Sequence, residues 1–245
     1  MRALRRLTLT ELKLFLRAPE SVFFVPGLPL LLVTVFGVIL DPGDAPDRLR
    51  GPLMDYFPAM VLSLTLAILS ILIMPSTLVG YREKGILRRM ATTPVGPDLV
   101  LVAQTLVSAM MAVATLVLVT VLGTVAFGWS TPGDVAGVAV AFLLAVSALL
   151  AVGLFIASIS TSGGMATGIG LFVFFPSLFL SGVAMPAEAM PPNLASAGEF
   201  TPLGAAMRGL RDSWTGSFPE TSHLLTLAVL TCVFGAAAVK LFRWE

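Results

Sequence analysis

The 245-residue chain contains one cysteine and one histidine. A lone Cys232 excludes an intrachain disulfide and any cysteine-based zinc cluster. It lies in an apolar run and reads as a small packing residue. Charge is scarce as well: 12% of residues are Asp, Glu, Lys or Arg, against about 25% in soluble domains. No G-x-x-x-x-G-K-[ST] segment occurs, so the chain lacks the loop that cradles nucleotide phosphates. A serine protease within the membrane is disfavoured too. "FLSG" at 179–182 offers a serine, but the residue two before it is Phe179 rather than glycine, and His223 sits at the edge of an apolar run. No metal-ligand cluster is visible.

Apolar residues are abundant, at 57% of the chain, with a mean hydropathy of +0.96. A bilayer is the solvent in which this balance is ordinary. Six runs approach the roughly 20 apolar residues a spanning helix needs: Val22–Leu40, Phe57–Gly80, Leu99–Phe127, Val135–Ser160, Gly164–Ala184 and Leu224–Val239. None contains Asp, Glu, Lys, Arg or His. The third is long enough to tilt, and the last is short, with Lys240 and Arg243 placed to snorkel from its end. The first is preceded by 21 residues and followed by no A-x-A site, so it reads as a retained span rather than a cleaved signal. The expected fold is one all-α integral membrane domain over residues 1–245.

Orientation follows from Lys and Arg. With the N-terminus inside, eleven fall on the cytoplasmic side (Arg2, Arg5, Arg6, Lys13, Arg17, Arg82, Lys84, Arg88, Arg89, Lys240, Arg243) and four outside (Arg48, Arg50, Arg208, Arg211). Both termini are therefore expected in the cytoplasm of a multi-pass cell-membrane protein.

Residues 1–18 have helical periodicity. Arg2, Arg6, Lys13 and Arg17 fall within about 60° of arc at 100° per residue. Leu4, Leu12, Phe15 and Leu16 lie on other faces, which predicts an interfacial helix ended by Pro19. Pro26 and Pro29 predict a kink or local unwinding early in the first span.

The segment 81–94, "YREKGILRRMATTP", is too short and too charged to span. As a helix it places Ile86, Leu87 and Met90 on one arc and Lys84, Arg88 and Arg89 opposite, with Pro94 and Pro97 as stops. An amphipathic turn tied at both ends to spans is able to transmit force from a docked partner. A solvated positive-inside loop is the plainer alternative.

Together with six spans, the amphipathic N-terminal helix and a Pro-rich connection after the fifth span, this loop resembles that of the ABC-2 type transporter permeases. Within them the likeness is to the drug-exporter branch that includes the daunorubicin-resistance permeases. Glu83, Gly85, Leu87, Arg88, Met90, Thr93 and Pro94 carry the loop pattern E-x-G-[IL]-L-R-x-[ML]-x-x-T-P, while Tyr81 stands where many members have an acid. The resemblance implies that 81–94 is a coupling helix seated in a cleft of a separate nucleotide-binding ATPase subunit. It also implies that ATP and Mg belong to that subunit, that no cofactor belongs to this chain, and that two permease copies work together. The implied activity is export from the cell, with this chain not itself an enzyme.

After the fifth span, Pro186, Pro191, Pro192 and Pro202 break any continuous helix. Residues 185–215 predict one or two short helices that dip into the outer leaflet and return. The resemblance implies the same re-entrant hairpin capping the exit. Glu188 and Glu199 are candidates to gate or screen it, headgroup solvation being the alternative.

Gly164 and Gly168 form G-x-x-x-G, read first as an intrachain packing stripe and second as a dimer seam. Ser63, Thr65 and Gln104, with Phe172, Phe175 and Phe179, are the candidates for a substrate path; Gln104 is the costliest of the polar ones to leave unpaired. An uncharged path favours a hydrophobic or amphiphilic cargo such as a drug, antibiotic or lipid. The competing reading is an ion-coupled secondary transporter. It is weakened because no span holds an ionisable residue. A channel lacks a selectivity filter.

Overall fold

The computed structural model of the chain describes residues 2–39, 47–91, 96, 98–185 and 189–242, with the side chains at 2–3, 47–55, 88 and 91 excepted. Among these residues there is helix and no strand. Six helices are long and apolar enough to cross a membrane: Pro19–Ile39, Tyr56–Glu83, Asp98–Phe127, Val135–Ile159, Gly163–Leu180 and Thr221–Leu241. They match the six apolar runs. Several run about one turn further, however, so that Glu20, Arg82, Glu83, Asp98, His223 and Lys240 lie on helix ends. The fifth span is shorter than its apolar run, stopping at Leu180 before Gly182, whose φ is +88°.

The second span is the centre of the bundle, with 78% of its apolar window buried, while the fifth and sixth are 17% and 11% buried and face outward. Its middle is unwound to a π-helix at Ile68–Ile73. Pro75 explains the defect, because it has no N–H to give. It can close neither the α-register bond to Ile71 O nor the π-register bond to Ser70 O, and Met74 N–H bonds instead to Leu69 O. The released carbonyls meet neighbours without side chains. A Cβ at Gly153 in the fourth span would lie 2.0 Å from Ser70 O, and one at Gly170 in the fifth span 2.7 Å from Ile71 O.

The first span carries the expected disturbance. Phe23–Gly27 is a π turn containing Pro26. The third span is a continuous 30-residue helix; its Thr115 hydroxyl reaches Val25 O, inside the π turn of the first span, at 3.5 Å.

At one end of the bundle lie the N-terminal helix Arg2–Arg17 and the hinge between the second and third spans. At the other end two short helices, Pro192–Glu199 and Pro202–Trp214, follow the fifth span. The 13-residue second helix is mostly buried and packs on the second, fourth and sixth spans, which is where the core extends furthest toward that end.

Candidate functional site: the hinge and what it ties together

The hinge is not one helix. The second span continues through Tyr81 and Arg82 to Glu83, turns at Lys84–Gly85, and restarts as a six-residue helix, Ile86–Ala91. Gly85 has φ +66°, in the left-handed region that side chains disfavour, so the glycine of the motif is there to make the corner. This differs from the single amphipathic helix expected over 81–94. Lys84 sits in the corner rather than on a helix arc. The two-faced pattern survives beyond it: Leu87 is buried, Ile86 and Met90 are half-buried, and Lys84 and Arg89 are exposed. Pro94 lies outside the described residues, as does the side chain of Arg88.

Two adjacent charges clasp the turn between the fourth and fifth spans. Arg82 donates a hydrogen bond to Ser160 O, at the C-terminus of the fourth span's helix, where unsatisfied carbonyls gather negative charge. Glu83 lies beside Gly163, the first residue of the fifth span, whose added Cβ would come within 3.3 Å of Glu83 Oε2. A carboxylate there faces the positive end of a helix dipole. Ser162 caps the same helix by accepting from Met165 N at 3.2 Å. Each charge thus complements the helix end it meets.

The N-terminal helix is tied to the same corner. Tyr81 donates its hydroxyl proton to Glu11 Oε2 at 2.7 Å, and burial pushes the Glu11 carboxyl above its ordinary range, with the Tyr81 hydrogen bond acting the other way. Glu11 and Phe15 are buried on the face that packs against the third span. Arg6, Lys13 and Arg17 are exposed on the opposite face, flanked by exposed Leu9 and Leu16. Sequence reasoning missed Glu11, although it is the single acid among residues 2–17 and lies opposite the basic stripe.

The candidate substrate-path residues are not brought together. Ser63 and Thr65 are sealed inside the bundle; Thr65 bonds Val61 O at 2.8 Å, and Ser63 Oγ is buried with no hydrogen-bond partner. Gln104 lines a cleft at the hinge end. Phe172, Phe175 and Phe179 are exposed on one arc of the fifth span. Gly164 and Gly168 have nothing within 4 Å of an added Cβ, so the intrachain packing expected of the G-x-x-x-G is absent, and Gly170 makes the close contact instead. The reason is periodicity: positions 164, 168, 172, 175 and 179 share the outward arc, while Ala166, Gly170 and Phe174 face the bundle.

At the far end, Glu199 is held in an ion pair with Arg208 at 2.5 Å, and Arg208 also donates to Ala195 O at 2.8 Å. Arg211 lies 5.7 Å from the centroid of the Tyr56 ring, whose hydroxyl donates to Gly182 O. Glu188 lies outside the described residues. Among the described residues no group of three metal-ligating side chains is present.

The family model described as ABC-2 type transporter matches residues 2–214. No curated protein matches the chain.

Proposed function

The chain belongs to the ABC-2 type transporter family, as the membrane subunit of an ABC transporter, and we propose that the hinge at 81–94 is where an ATP-hydrolysing partner drives it. The family assignment favours this reading over an ion-coupled carrier. In this reading the chain is a permease of the drug-exporter branch, working as a homodimer in the cell membrane with both termini in the cytoplasm. Two nucleotide-binding subunits hold ATP and Mg. Their closure pushes the hinge, and a hydrophobic or amphiphilic compound leaves the cell.

The clasp carries this reading. A force on the hinge acts on the second span directly, on the fourth and fifth through Arg82 and Glu83, and on the N-terminal helix through Tyr81. The π-helix at Ile68–Ile73 gives the second span a place to bend. The basic arc suits acidic groups on a partner, and the apolar arc is already seated on the bundle. The N-terminal helix, with exposed leucines beside its basic stripe, suits the inner headgroup boundary. Helices Pro192–Glu199 and Pro202–Trp214 suit a re-entrant hairpin over the exit, because the bundle covers the backbone of the second. The outward arc of the fifth span, with its glycines and phenylalanines, suits a seam between two copies.

The test uses the complex in vesicles. Gly85→Pro, which cannot adopt φ +66°, and Arg88→Glu are each expected to abolish transport-coupled ATP hydrolysis while insertion stays intact. Unchanged coupling in both variants would refute the assignment.

A further inference from the structure

A cleft of about 370 Å³ opens between the N-terminal helix, the start of the first span, the end of the second span and the third span. Its lining is unlike the rest of the apolar bundle. Glu11, Glu20, Tyr81, Lys84 and Gln104 all line it, with Phe15 as an apolar wall. Glu11 is 7% exposed, and Tyr81 engages one of its carboxylate oxygens. Its second oxygen makes no hydrogen bond to a described residue. Gln104 is 3% exposed, lines the same cleft, and its amide makes no hydrogen bond to any described residue. The amide opens on the cleft, where water or a ligand has to serve as its partner. Two independent groups, a carboxylate and an amide, thus offer oxygen acceptors to one space, whose lining, among the described residues, has Lys84 as its one cationic donor.

We propose that this cleft binds the primary ammonium group of an amphiphile, with Glu11 and Gln104 as its acceptors and the alkyl part lying along Phe15 and Leu14. Three N–H donors on one small cation match the carboxylate oxygen and the amide oxygen, leaving one for a hydroxyl or water. Glu11 and Glu20 outnumber Lys84, so the lining favours a cation over an anion. Lys84, exposed at the corner, lines the same cleft and suits the phosphate of a zwitterionic headgroup. The site does not depend on how the hinge meets its ATPase, and it is separate from the outward arc of the fifth span.

The test is a calorimetric titration of the full chain in a non-ionic maltoside. Octylammonium is expected to bind saturably, about tenfold or more tightly than octanol, the step a charge-assisted hydrogen bond supplies. Glu11→Gln is expected to erase that difference. If Glu11→Gln does not yield monodisperse protein, Gln104→Leu replaces it, with loss of the difference again expected. Equal affinities for octylammonium and octanol in the wild type, or an unchanged preference in the variant, would overturn the proposal. Competition by dihexanoyl phosphatidylethanolamine then separates the two sources of the ammonium. Displacement of octylammonium supports the site as a lipid-headgroup seat, and failure to displace it supports a seat for a free cationic amphiphile.

Discussion

The two ends of the bundle are held by different means. At the hinge end, elements meet through single side chains: Tyr81 to Glu11, Arg82 to Ser160 O, Glu83 beside Gly163. At the hairpin end, backbones touch. A Cβ at Gly198 would lie 1.9 Å from Leu180 O, and one at Gly204 1.9 Å from Gly198 O. Gly133 and Asp134 N–H groups bond to Trp214 O and Ser213 O at 3.2 and 3.0 Å, and Trp214 Nε1 donates to Ser130 O at 3.1 Å. Side-chain clasps break and re-form as elements move, whereas interlocked backbones move only as one piece. The contacts at the hinge end can thus be released one side chain at a time, and the backbone contacts at the far end cannot.

The sharpest way to break this contrast is to wedge the cap. Gly204→Val is expected to cost about 3 kcal/mol or more, the upper end for overpacking, seen as loss of the monodisperse fraction on size exclusion. Gly85→Ala is the counterpart at the hinge. A left-handed alanine costs about 1–2 kcal/mol, so the fold should survive with a modest drop in thermal stability while ATP-driven transport falls sharply. Arg82→Gln removes a charge-assisted hydrogen bond. About a tenfold loss in transport per ATP hydrolysed is expected, with partial recovery in Arg82→Lys, which a purely structural defect would not show. The smallest effect belongs to the cap's polar edge. Asp212 lies 3.6 Å from His223 and is partly exposed, so Asp212→Asn should shift thermal unfolding by the equivalent of about 1 kcal/mol or less.

Acidity sharpens the comparison from another side. Burial raises the Glu11 carboxyl from its ordinary value of 4.5, so the folded chain holds that proton more readily than the unfolded chain. Its contribution to stability is therefore present at low pH and lost as pH rises from 4.5 through the raised value. Octylammonium binding runs the opposite way because it needs the ionised carboxylate. Titrations at falling pH should show affinity declining above the range of an ordinary carboxylate, and Glu11→Gln should be flat over the same interval.

Most of the architecture was legible because a bilayer leaves few options. The six apolar runs became the six helices, displaced by about a turn where charged residues such as Arg82 and Asp98 extend the helix past the lipid-compatible stretch. Pro26 announced its π turn. Pro75 did the same, yet that run was read as an unbroken span, because hydropathy is blind to a missing N–H. The shape of the hinge was not legible: amphipathic periodicity treats Gly85 as one more helical position, whereas its φ of +66° makes a corner. The candidate path residues lie apart for a plainer reason. Composition showed that phenylalanines and serines lie in the spans, but which face they occupy depends on tertiary packing, which put Phe172, Phe175 and Phe179 outside and Ser63 and Thr65 inside. Glu11 went unnoticed because a single acid in a basic helix is invisible to charge counting. Only its partner 70 residues away gives it meaning.

The central claim is that an ATP-hydrolysing subunit grips the hinge, and site-specific photo-cross-linking of the assembled complex tests it most directly. A benzophenone side chain at position 89, on the exposed basic arc, is predicted to cross-link to the ATPase subunit, and the same group at position 195 in the cap is predicted not to. A complex that hydrolyses ATP but cross-links from 195 and not from 89 would contradict the account.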